Sequence, residues 1–163
     1  MEAPPDRTDA DVDVDWLDAD EQVAWRATIE ALSRLTERLD DDLREFGITL
    51  DDYEILVFLS ESDERRARMT DLAHRLLTSK SRLTYRIDRL EKAGLVCREA
   101  CPTDGRGIHA RLTDEGFALL ERAARVHVTG VRDHLVAHFD RADFLEMGRW
   151  LSKVAASLRE SHP

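Results

Sequence analysis

Apolar positions recur along most of the chain at steps of three and four, the spacing that places them on one face of an α-helix. Leu32, Leu35, Leu39, Leu43 and Phe46 make the first stripe, within a charged stretch that starts at Asp18. They predict a long helix closed by Gly47 as its C-cap. Thr49, with Asp52 three residues on as a capping-box acid, opens a second helix buried through Ile55, Leu56, Phe58 and Leu59. A charged loop is expected from Ser60 to Arg68, then a short helix from Thr70 that Leu77-Thr78 breaks. Ser79 to Ala93 is the best-defined helix, because Leu83, Ile87 and Leu90 form an i, i+4, i+7 inner stripe and Gly94 supplies a left-handed stop.

Two short helices joined by a tight turn, the second one basic, read as helix-turn-helix. After Gly94 the segments LVCREA and IHARL flank the turn sequence CPTDGRG, which predicts two short strands around a glycine-containing hairpin. A two-stranded wing behind a helix-turn-helix is a winged helix. Thr113 then starts a helix whose stripe Phe117, Leu120, Ala124, Val128, Val131, Leu135 and Phe139 predicts continuous helix from 113 to 139. A last helix from about Arg141 carries Phe144, Met147, Leu151, Val154 and Leu158. The fold class is mainly α with a small β-wing.

Composition qualifies this picture. The 163 residues are 42% hydrophobic and 36% charged, enough for one globular domain with a modest core. Lys and Arg total 24 against 34 Asp and Glu, for a net charge of −10, which taken alone argues against nucleic acid. The distribution reverses that inference. Residues 1–63 hold 5 basic and 20 acidic side chains, whereas residues 64–111 hold 12 and 6, so half the positive charge sits on the winged helix. Residues 1–15, with two prolines and many Asp, are expected to be a disordered acidic tail. No basic segment followed by an apolar run opens the chain, and no eighteen apolar residues are consecutive, so no membrane partner is read and a cytoplasmic location is expected.

The string RMTDLAHRLLTSKSRLTYRIDRLEKAGLVCREACPTDGRGIHARLTDEG, residues 68–116, resembles the MarR family of winged-helix transcriptional regulators, and the order of elements extends that resemblance over about residues 16–160. The resemblance implies a single domain, with a winged helix at about 50–112 and dimerisation helices at 16–46 and 113–160. It implies a homodimer that represses nearby genes by binding double-stranded DNA at a pseudo-palindromic operator, until an effector releases it. Matching positions make Ser79, Lys80, Ser81, Arg82 and Arg86 the expected contacts from the recognition helix, and Arg106 the wing-tip contact. Arg98 and Asp104 match an ion pair that steadies the wing. The chemistry of the residues agrees: Arg can bond a guanine edge bidentately and Ser a phosphate or base edge, while Gly105 and Gly107 let Arg106 project toward a narrow minor groove.

Three release chemistries compete. A small aromatic or phenolic effector would sit in a crevice lined by Trp16, Trp25 and Tyr53, residues that equally suit a core. Cys97 and Cys101, four positions apart, would serve a redox-responsive regulator if Arg98 and Arg106 activate the thiol of Cys101. His134 and His138 have a zinc-compatible spacing, with His127 two turns earlier, but two ligands do not make a site, so no metal and no cofactor is expected. A winged helix used for protein contact without operator binding is the alternative function. An enzyme is not expected, because the chain has no phosphate loop, nucleophile elbow or metal triad.

Overall fold

The computed structural model describes residues 14–100 and 107–160. They divide into two compact units, one ending at Ser33 and the other beginning at Arg34. Helix α1 (Ala19–Leu43) starts in the first unit, where the backbone N–H of Glu21 donates to Asp18 Oδ1 and that of Asp18 donates to Glu21 Oε2, both at 2.8 Å. This reciprocal cap satisfies two of the donors that a helix start leaves without partners. Val23, Trp25, Ile29 and Leu32 are exposed on this part of α1.

In the second unit the end of α1 is buried at Leu39 and Leu43. A 3-10 turn, Arg44–Phe46, then carries the chain to Gly47 at φ 71°, a left-handed position that glycine adopts without a Cβ clash. Helix α2 (Leu50–Glu61) opens on the expected capping box between Thr49 and Asp52. The stretch expected as a charged loop contains a strand, β1 (Arg66–Arg68), which pairs antiparallel with residues 109–111. Three residues are too few to show an alternation, and the only apolar one, Ala67, lies opposite the buried Ala110.

Helix α3 (Met69–Arg75) and helix α4 (Lys80–Lys92) are joined by a turn in which Leu77 has φ 49° and lies 91% exposed. Ser79 caps α4 and Gly94, at φ 74°, follows its end. Strands β2 (Val96–Ala100) and β3 (Ile108–Leu112) form the wing in the expected places, and β3 is central in the order β1-β3-β2. Leu43, Leu56, Leu72, Ile87, Val96 and Leu120 meet in one core, so α2, α3, α4, the sheet and the next helix share a single apolar interior.

Helix α5 (Asp114–His134) ends five residues before the apolar stripe does. Leu135 leaves helical geometry at φ −129°, and a 3-10 turn, Val136–His138, follows. A stripe reports which face is apolar and not whether each i→i−4 bond is made, so it ran on through the break. Asp140 then caps α6 (Arg141–Glu160), accepting from the N–H of Asp143 at 2.8 Å. Among the described residues no helix is long and apolar enough to cross a membrane.

Candidate nucleic-acid interface

The α4 helix is divided lengthwise by its sequence. Leu83, Ile87 and Leu90 are each at most 2% exposed, while Lys80, Ser81, Arg82 and Tyr85 face outward. Ser79 is committed to the backbone: its hydroxyl accepts from the N–H of Arg82 at 3.3 Å and lies 3.2 Å from Ser81 Oγ. Arg82 makes no ion pair among the described residues, and its neighbours Leu77 and Thr78 belong to the turn.

Arg86 is placed differently from the other residues expected at this face. Its guanidinium pairs with Asp51 at the start of α2, lies 3.4 Å from Thr49 Oγ1 and comes within 3.8 Å of Asp52. Burial lowers its pKa, against the opposing effect of Asp40. Arg89, one turn along, pairs with Asp52, whose side chain is wholly buried. These pairs join residues 35 and 37 positions apart in the chain, so no local pattern reveals them.

The wing is tied to the same helix through Arg98. It bonds Asp88 Oδ1 at 2.6 Å and Glu91 Oε2 at 2.5 Å, while its backbone N–H donates to Glu91 Oε1 at 3.0 Å. Burial acts to lower the pKa of Arg98, but the bonds to Asp88 and Glu91 outweigh it and the pKa is raised. Across the sheet, Arg111 of β3 pairs with Glu99 of β2 at 2.5 Å. A cleft of about 440 Å³ lies beside α4, lined by Arg68, Thr70, Lys80, Thr84, Arg98 and Ile108 among others. Arg106, Asp104 and Cys101 lie outside the described residues.

The candidate sensor residues belong to different units of the chain. Trp16 and Trp25 are 82% and 57% exposed in the first unit, whereas Tyr53 is a core residue of the second. Tyr53 packs at a tilt against His127 with ring centroids 4.5 Å apart, and burial raises its pKa, with Glu61 adding to the effect. His134 Nε2 lies 3.1 Å from Asp42 Oδ2, and His138 is exposed. Among the described residues no three His, Cys, Asp or Glu side chains converge as metal ligands. Cys97 is a half-buried free thiol.

The model of the MarR family matches residues 46–107, which span α2 to the wing. The HTH-type transcriptional regulator PecS of Dickeya dadantii is 34% identical over 133 residues, covering 80% of each chain. Among solved structures, AbsC, a MarR family transcriptional regulator from Streptomyces coelicolor, superposes with a TM-score of 0.86 at 44% identity, over 90% of this chain and 99% of that one. Sco3205, a MarR family transcriptional regulator of the same organism solved in complex with DNA, gives a TM-score of 0.84 at 43% identity, over 88% of this chain and 94% of that one.

Proposed function

This chain belongs to the MarR family of winged helix-turn-helix transcriptional regulators, and from that premise we propose that it is a homodimeric repressor that binds a pseudo-palindromic operator and is released by a small-molecule effector. The observation that carries the DNA reading is the division of α4 into a buried apolar stripe and an exposed face of Lys80, Ser81, Arg82 and Tyr85. Such a face suits a major groove, where Arg takes guanine edges and Ser takes phosphate or base edges. Ser79 supports it as the helix cap. Arg86 stands at its edge, since its guanidinium is largely committed to Asp51 and Thr49. Arg106 is proposed as the minor-groove contact and Asp104 as wing support, both on sequence grounds alone.

A single functional domain over residues 16–160 and its dimerisation are part of the same proposal. Trp150, Leu151, Val154 and Leu158 of α6 are each 49% or more exposed, an apolar stripe left uncovered among the described residues. A second copy would cover such stripes, and a two-fold dimer would space its recognition helices about 34 Å apart. The exposed indoles of Trp16 and Trp25 leave two aromatic faces accessible to the proposed small aromatic or phenolic effector.

The test is fluorescence anisotropy on DNA from upstream of its own gene against scrambled DNA, across a salt series, with the solution mass measured in parallel. Tight binding of a dimer to the native fragment alone, weakening steeply with salt, is the expected result. Equal weak binding to both DNAs would overturn operator recognition there and favour a protein-binding winged helix.

A further inference from the structure

The basic flank of α4 holds three arginines, Arg82, Arg86 and Arg89, yet two of them point at the N-terminus of α2. Arg86 pairs with Asp51 and Arg89 with Asp52. Asp52 is the only wholly buried charged side chain among the described residues. Its Oδ2 also accepts from the backbone N–H and the hydroxyl of Thr49, at 2.9 and 2.7 Å. The carboxylate is therefore held by its own helix cap as well as by Arg89. Arg89 remains 44% exposed and Arg86 26%, so neither is lost to the core; each stands at the protein surface with its charge already answered.

We infer that Asp51 and Asp52 act as an internal substitute for DNA phosphates, withholding Arg86 and Arg89 from the nucleic-acid backbone and fixing the rotation of α4 about its axis, so that they are positioning residues for operator selectivity. A free arginine on this flank would bind the phosphates of any sequence. Every phosphate neutralised adds affinity without discrimination and steepens the salt dependence. Satisfying two of the three arginines internally leaves Arg82 as the one arginine of the flank without an ion pair among the described residues. Two grips one turn apart on α4, both onto the capped start of α2, also oppose rolling of the helix, which keeps Ser81 and Arg82 in register with the groove. The inference rests on the DNA-binding reading above.

The test compares the full-length protein with Asp51→Asn, Asp52→Asn and Arg89→Gln on the native fragment and on scrambled DNA, across a salt series. Asp51 is exposed and has no part in the capping box, so Asp51→Asn keeps the experiment informative if Asp52→Asn fails to fold. Freed arginines should tighten binding to scrambled DNA by about threefold to tenfold at low salt, steepen the log–log salt slope by about 0.9 for each new phosphate contact, and narrow the ratio of native to scrambled affinity. Arg89→Gln should leave the salt slope where it is in the wild type. A purely structural role for the carboxylates would lower stability without steepening the slope. Unchanged slopes in both Asp variants, or a shallower slope in Arg89→Gln, would overturn the inference while wild-type operator binding stood. Absence of wild-type binding to any DNA would overturn the DNA reading itself, and the inference with it.

Discussion

A Cβ on Gly116 would stand 2.1 Å from the carbonyl oxygen of Leu95 and 2.8 Å from Leu112 Cδ1. The start of α5 thus lies directly against the residue that leads into the wing, and the same carbonyl accepts from the N–H of Thr113 at 3.1 Å. Gly116→Ala must move backbone, because a carbonyl cannot swing aside as a side chain can. The expected loss is about 1–3 kcal/mol or somewhat more, as for other overpacked sites. In a chain of this size each kcal/mol lowers Tm by about 2–4 °C. A melting curve that superposes on the wild type would contradict this packing.

Gly130 offers a contrast at the other end of the same helix. A Cβ there would stand 2.2 Å from Asp42 Oδ2, but the obstacle is a carboxylate that can rotate away. Gly130→Ala should therefore destabilise less than Gly116→Ala, while removing the bond from Asp42 to His134. The check is non-additivity: His134→Ala should lower stability measurably in the wild type and hardly further in the Gly130→Ala background. Full additivity of the two changes in denaturant titrations would show that Asp42 and His134 do not interact in solution.

The helical core and the wing were legible because their signals are local. Leu83, Ile87 and Leu90 lie on the face that the spacing predicted, and Thr49 with Asp52 forms the box that its sequence announced. The break at Leu135 was not legible, since no proline or glycine marks it and the apolar face continues through the 3-10 turn. Strand β1 was hidden for a different reason: it is held by pairing with β3, more than forty residues away, and two of its three side chains are charged. The identity of the outward-facing residues of α4 followed from helical geometry. The destination of Arg86 and Arg89 did not, because it depends on where α2 packs.

Arg98 is expected to couple the wing to α4 through its forked grip on Asp88 and Glu91. Arg98→Gln leaves those two carboxylates facing each other without a cation, at a site where Arg98 is only 23% exposed. Hydrogen bonds to charged groups are worth about 1.5–3 kcal/mol when buried, and partial exposure here puts the expected loss at the lower end. Arg98→Lys should recover little of it, since a single ammonium nitrogen lacks the planar fork whose two nitrogens here reach separate carboxylates. Chemical denaturation of the three proteins checks both statements, and recovery in the lysine variant equal to the wild type would remove the role of the fork.

His127 provides the pH prediction. Its ring packs at a tilt against Tyr53 of α2, its Nδ1 is buried without a hydrogen-bond partner among the described residues, and burial lowers its pKa below 6.5, with Asp42 of α1 acting in the opposite direction. The folded state therefore favours the neutral imidazole. Below about pH 6.5 an unfolded histidine takes up a proton that the folded one refuses. Stability from this group is fully present above that pH and falls as pH drops from there toward the folded pKa, below which both states are protonated and the fall ends. His127→Phe keeps an aromatic ring against Tyr53 and removes the titration. Its stability should accordingly decline less between pH 7 and 5 than that of the wild type, whose other titrating groups are shared and cancel in the difference. Equal pH slopes for the two proteins in denaturant titrations would show that His127 takes up its proton as readily in the fold as in the unfolded chain.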